Sequence, residues 1–129
     1  MKTLVRLMLI SMLVICAVSA YSDECVQMWK CEMDDDTTEE QVIEMAHKWL
    51  NAAKAVKGGE QFKAYVYFPV AVNFDDESDF ILVVIAPSFE AWGTFWDNYH
   101  GSKAEELEGA NLEAVICPDS AVWERVAIK

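Results

Sequence analysis

The chain has 129 residues, 53% of them hydrophobic, and sets ten Lys and Arg against 22 Asp and Glu for a formal net charge of −12. A length of this order holds one domain rather than two. So acidic a balance repels phosphate backbones and anionic lipid, which argues against nucleic acid as a partner and is compatible with a cationic ligand or with solubility alone.

In chain order, residues 1–20 carry the three parts of a cleavable secretory signal: Lys2 and Arg6, the apolar run Leu7–Val18 broken by Ser11, and the small residues of Val18-Ser19-Ala20. The run is shorter than the roughly 20 residues of a spanning helix, and bulky Ile15 precedes Cys16 where a lipoprotein signal has a small residue. Cleavage after Ala20 is expected, leaving a periplasmic or secreted product with no stable membrane anchor. Removal takes two basic residues and no acidic ones, so eight stand against 22 and residues 21–129 carry −14. All five Trp, four Tyr and six Phe lie in that single domain.

Val26–Met33 sets β-formers Val26, Trp29 and Cys31 among polar Gln27, Lys30 and Glu32, and predicts a first strand. Asp34-Asp35-Asp36 ends it. Thr37 with Glu40 predicts a capping box, and Val42, Ala46, Trp49, Ala53 and Val56 recur at helical spacing. The helix is predicted to reach about Lys57, with Lys54 and Lys57 near its negative dipole end and Gly58-Gly59 stopping it. A second strand is predicted over Phe62–Phe74, with Phe62, Ala64, Val66 and Phe68 on one face and Lys63, Tyr65 and Tyr67 on the other. Pro69 cannot donate to a ladder and marks it as an edge strand or one with a bulge.

The acidic turn Asp75–Asp79 leads to Phe80–Ala86, an apolar run suited to a strand buried on both faces. Pro87 and Ser88 open a second helix, with Phe89, Trp92, Phe95, Trp96 and Tyr99 on its apolar side, and Gly101 breaks it. Ser102 with Glu105 predicts a short helix to about Leu107. After Cys117-Pro118-Asp119-Ser120 comes a last strand, Val122–Ile128.

The order βαββαβ with right-handed crossovers predicts an α+β, ferredoxin-like fold: a four-stranded antiparallel sheet of order 4-1-3-2 with both helices on one face. In that topology the end of the first strand lies beside the start of the fourth. Cys31 and Cys117 are therefore expected to form a disulfide, while Cys25, about 20 Å away at the far end of its strand, is left outside that pair and either bridges two protomers or stays free.

Counting from Asp75, the sixth and twelfth positions hold Phe80 and Ala86 where a calcium loop needs Gly and Glu. Zinc spacings, CxxC, GxSxG and the P-loop do not occur, so neither a metal nor a cofactor is predicted. His47 on the first helix and His100 at the end of the second are candidate catalytic bases if they face a cavity. Tyr65, Tyr67, Trp92, Trp96 and Tyr99 are the candidate ligand-binding residues, since aromatic walls suit a flat apolar molecule. Core packing accounts for the same aromatic stripe without a ligand. Gly93 would let the second helix approach the sheet or a ligand closely.

The segment Ile81-Leu82-Val83-Val84-Ile85, followed by Pro87-Ser88-Phe89-Glu90-Ala91-Trp92 and Phe95-Trp96, resembles the third strand and second helix of dimeric α/β-barrel proteins. These include antibiotic-biosynthesis monooxygenases, haem-degrading monooxygenases and stress-responsive barrel proteins. The resemblance implies a homodimer with two sheets packed face to face and a pocket between sheet and helices in each protomer. Trp29 and Tyr65 or Trp123 are expected on the face so covered, because a large apolar patch marks an interface. Haem-degrading members place an Asn on the first strand, a Trp at the close of the third and a His after the second helix. Here the first strand has no Asn, Ile85 closes the third, and Glu105 and Glu106 occupy the short helix, so that activity is not implied.

The function expected is that of an exported protein holding a small apolar or aromatic molecule between sheet and helices. Two alternatives stand beside it: a non-catalytic exported protein using its aromatic surface as an interface, and a cofactor-free monooxygenase- or isomerase-like enzyme.

Overall fold

The computed structural model describes residues 23–71 and 78–128. The expected signal, the distal part of the predicted second strand and most of the acidic turn lie outside the described residues. The elements are β1 (Glu24–Met33), α1 (Glu39–Ala53), β2 (Lys63–Tyr67), β3 (Phe80–Ala86), α2 (Phe89–Tyr99), α3 (Lys103–Asn111) and β4 (Val115–Arg125). The strands pair antiparallel in the order β2-β3-β1-β4, which is the predicted order read from the opposite edge. The fold is ferredoxin-like, and β2 is an edge strand, as Pro69 allows.

Side-chain alternation sorts this sheet into two faces. On one, Cys25, Val84 and Ala86 pack with Ala53 of α1 and with Phe95 and Tyr99 of α2. Further along, Cys31 and Phe80 pack with Val42 of α1. Both long helices therefore cover the same side. On the other side Val26, Val83 and Ile85 cluster with Met28 and Ile81, all strand residues among those described. Phe95 is the hub of the covered side: its ring lies 4.6 Å from Phe62, 5.1 Å from Trp96, 5.3 Å from Tyr99 and 6.1 Å from Trp49. Burial of one such side chain contributes roughly 1.5–3 kcal/mol.

Several boundaries differ from the sequence reading, each for a local reason. The N-cap of α1 is Thr38, whose hydroxyl accepts from Gln41 N while Gln41 Oε1 accepts from Thr38 N. The capping box thus sits one residue later than Thr37 and Glu40. The helix ends at Ala53, and tight turns then bring Val56 and Phe62 into the core. Gly58 adopts φ +95°, and a Cβ there would stand 2.5 Å from Phe95 N and 2.6 Å from Ala91 O. A glycine is required because this turn lies backbone to backbone against α2. Gly93, expected at a close approach, has nothing within 4 Å of where its Cβ would be.

β2 stops at Tyr67, two residues before Pro69, rather than running through it. Phe89 is 45% exposed, because burial along α2 falls on its C-terminal half at Phe95 and Tyr99. α3 runs on to Asn111, four residues past the predicted end.

The last strand begins at Val115, seven residues ahead of its predicted start, and includes Cys117-Pro118-Asp119-Ser120. Lys30 pairs with Asp119 and Glu32 with Ile116, so Cys31 alone faces both Cys117 and Pro118. That is a β-bulge, a position where a proline lacking an N–H is tolerated inside a strand. Trp29 points to the helices, packed against the same core as Trp49 and Trp96, and not to the outer face. Tyr65 and Trp123 do lie on the outer face, by their pairing with Val83 and Val26.

Cys31 and Cys117 are disulfide-bonded, 86 residues apart in sequence, and Cys25 is a buried free thiol. Burial pushes the Cys25 thiol up from its ordinary value, which suppresses the reactive thiolate. Peptide mapping without reduction is expected to recover a Cys31–Cys117 fragment, with Cys25 alkylated by iodoacetamide in denaturant and not in the native protein. Replacing both bonded cysteines by serine is expected to cost about 4 kcal/mol in urea unfolding, the chain-entropy value for so long a loop. Rapid native alkylation of Cys25 would contradict its placement.

Candidate functional site

Between α1, α3 and the covered side of the sheet lies a groove of about 260 Å³. Its floor is Trp29 of β1, Phe80 and Leu82 of β3, and Cys117 of β4. Val42, Met45, Ala46 and Trp49 form one wall, and their spacing of three, one and three residues is that of a single helix face. The opposite wall is Glu108 and Asn111 of α3 and its C-cap Leu112, continued by Val115 and Ile116 of β4, with Trp96 of α2 at one end. Apart from three indoles, the polar side chains among the described residues at the groove are Glu108 and Asn111.

Two hydrogen-bonded devices hold these walls. Gln27 of β1 is 9% exposed and points to the helices. Its Oε1 accepts from Trp92 Nε1 at 2.9 Å and from Trp96 Nε1 at 3.2 Å. One buried acceptor thereby satisfies two indoles and sets the plane of Trp96, whose ring lies 6.5 Å from Trp29. The second device is a chain. Trp49 Nε1 donates to Tyr99 Oη at 3.3 Å, and Tyr99 Oη donates to the Glu108 carboxylate. Burial, and then the neighbouring Glu108, raise the Tyr99 hydroxyl well above its ordinary range, so it stays protonated and remains the donor. α1, α2 and α3 are joined through this one hydroxyl.

The structure separates the aromatic residues singled out by sequence. Trp96 lines the groove, and Tyr99 stands behind its wall as the link to Glu108. Trp92 supports the groove indirectly through Gln27. Tyr65 and Tyr67 lie on the opposite face of the sheet, exposed. They alternate with Ala64 and Val66, which face the helices, and so they do not reach the groove. His47 is exposed on α1. His100 caps α2 with its side chain 96% exposed and Nδ1 2.7 Å from Glu105. Neither imidazole lines the groove.

Gln27, Trp49, Glu108 and Asn111 were not singled out by sequence reasoning. The Val42-Met45-Ala46-Trp49 spacing was available as a signal for the first wall. Nothing in the sequence distinguishes Glu108 from the other acids of α3. Among the described residues, no group of three or more His, Cys, Asp or Glu is placed to hold a metal ion.

No family model matches the sequence, and no curated protein matches it. Solved structures do share the fold. An Arabidopsis thaliana protein superposes with a TM-score of 0.56 at 15% identity, over 83% of this chain and 98% of its own. A dimeric ferredoxin-like protein of unknown function from Thermobifida fusca gives 0.49 at 12% identity, over 85% and 96%. A candidate chlorite dismutase gives 0.49 at 10% identity over 87% of this chain, which spans 48% of that protein's length. At these identities the likeness defines the class as the ferredoxin-like fold and nothing narrower.

Gln27→Leu would leave two indole N–H groups without their acceptor, at about 1–3 kcal/mol for each unsatisfied donor. The variant is expected to lose about 2–4 kcal/mol of unfolding free energy in urea. A loss below about 0.5 kcal/mol would mean that Trp92 and Trp96 have other acceptors within reach.

Proposed function

We propose that this chain is an exported homodimeric binding protein whose ligand is a small, largely apolar molecule lying in the groove over Trp29, Leu82 and Phe80. The observation that carries the reading is the groove itself: about 260 Å³ walled by aliphatic side chains and three tryptophans, with two polar side chains at its rim. Such a mixture of apolar wall and few polar groups is what a small-molecule site requires. The buried Gln27 acceptor supports it further, because it holds Trp96 in place whether or not a ligand is present.

Dimerisation is supported by the outer face of the sheet. The strand registers place Lys63, Ile85, Val26 and Trp123 in one row across it, Tyr65, Val83, Met28 and Ala121 in the next, and Tyr67, Ile81, Lys30 and Asp119 in the third. The apolar centre is flanked by Tyr65, Tyr67 and Trp123, each 45–57% exposed. Two such faces packed together would bury these rings, in the manner of sheet-on-sheet packing. The same rows favour the second reading, an interface for a different protein.

Export is supported by the signal pattern of residues 1–20 and by the Cys31–Cys117 disulfide, since such bonds persist in oxidising compartments. Among the described residues no helix is long and apolar enough to cross a membrane.

Native mass spectrometry of protein taken from its own source is expected to give twice the mass of a chain starting at Tyr21, plus a copurified small molecule. A single-subunit mass removes the dimer. For the groove, Ala46→Trp is the test, because Ala46 lies in its wall. The variant is expected to weaken binding of the neutral dye N-phenyl-1-naphthylamine at least tenfold with little change in melting temperature, and unchanged dye binding would sink the groove as a ligand site.

A further inference from the structure

Resting on the groove reading above, we infer that the ligand carries a cationic amine at the end of its apolar body, and that Glu108 receives it. Among the described residues that line the groove, Glu108 is the one ionisable side chain, and none is a cation. A carboxylate at the rim of an apolar groove selects among apolar molecules by the charge of their polar end.

Glu108 is also held in position. Tyr99 Oη donates to it, and Tyr99 is in turn fixed by Trp49 Nε1 and by its ring contacts with Phe95 and Trp96 at 5.3 and 4.7 Å. A buried tyrosine thus fixes an acid at the groove's edge. Its neighbours on α3 are engaged elsewhere: Glu105 accepts from Gly101 N and pairs with His100, and Glu106 pairs with Lys103. Asn111, one turn beyond Glu108, supplies an amide that can accept a second ammonium proton.

Charge complementarity extends beyond the rim. The chain as a whole is strongly acidic, at −12, so its field favours the approach of cations and disfavours carboxylate ligands of the same shape. The indole faces of Trp29, Trp49 and Trp96 also attract a cation. The carboxylate and the indoles therefore select the same ligand charge, and a single substitution separates their contributions.

Three molecules with one ring system and different polar ends make the test: tryptamine, 3-ethylindole and indole-3-propionate, titrated by calorimetry at low salt. Tryptamine is expected to bind about five- to tenfold more tightly than 3-ethylindole, the scale of a charge-assisted contact at a partly exposed site, with indole-3-propionate weakest. In Glu108→Gln the ratio of tryptamine to 3-ethylindole affinity is expected to fall towards one. In Glu106→Gln, altered on the same helix but away from the groove, it is expected to persist. Equal binding of all three molecules, or a ratio that survives Glu108→Gln, overturns the amine and leaves the groove standing. If none of the three binds, the amine assignment fails, and the naphthylamine titration shows whether the groove fails with it.

Discussion

A glutamine side-chain oxygen buried between a sheet and a helix is the contact on which the rest of this molecule is arranged. Gln27 sits on the central strand β1, flanked by β3 and β4, and accepts from both Trp92 and Trp96. An acceptor removed from water costs free energy unless donors reach it, and here two do. The pair of indoles can meet it only when α2 lies at one height and rotation over the sheet. Phe95 is then placed against Phe62, Trp49 and Tyr99, and Trp96 stands at the end of the groove. Hydrophobic burial drives α2 onto the sheet without choosing a position, and the polar contact makes the choice.

The groove lies where α1 and α3 meet over the covered side of the sheet, beside α2. Gly58 admits the α2 backbone at Ala91 and Phe95, and Gly59 admits the Ala53 carbonyl of α1 and the Phe95 ring, where any side chain would collide. On the other side Ala46 is the small residue of its wall, between Met45 and Trp49 in space rather than filling it. The Tyr99 hydroxyl then ties the three helices together at one point.

How much of this was legible in the sequence depends on the kind of signal. β3 was read to the residue, since an apolar run between an acidic turn and Pro87-Ser88 has sharp ends. Strand order and the Cys31–Cys117 bond followed from connectivity, which needs element order and not exact boundaries. The start of β4 was missed because Pro118 reads as a turn, and nothing local marks it as the extra residue of a bulge. Tyr65 and Tyr67 were assigned to the groove although their alternation with Ala64 and Val66 already placed them on the other face. Gln27, Trp49 and Glu108 were missed for a deeper reason. Their roles come from partners 65, 50 and 9 residues away, and single-sequence periodicity carries no information about such distant contacts.

β3 bears hydrocarbon on both of its sides, from Phe80 and Leu82 toward the helices to Ile81, Val83 and Ile85 away from them. For most strands a shift by one residue would turn greasy side chains out to water, and that penalty keeps neighbours aligned. Sliding β3 by one place exchanges one aliphatic set for another and changes the buried hydrocarbon little. What separates the native alignment from its neighbours is therefore a short set of directional links at the start of β3, where Asp79 N donates to Cys31 O and the Asp79 carboxylate accepts from Met33 N.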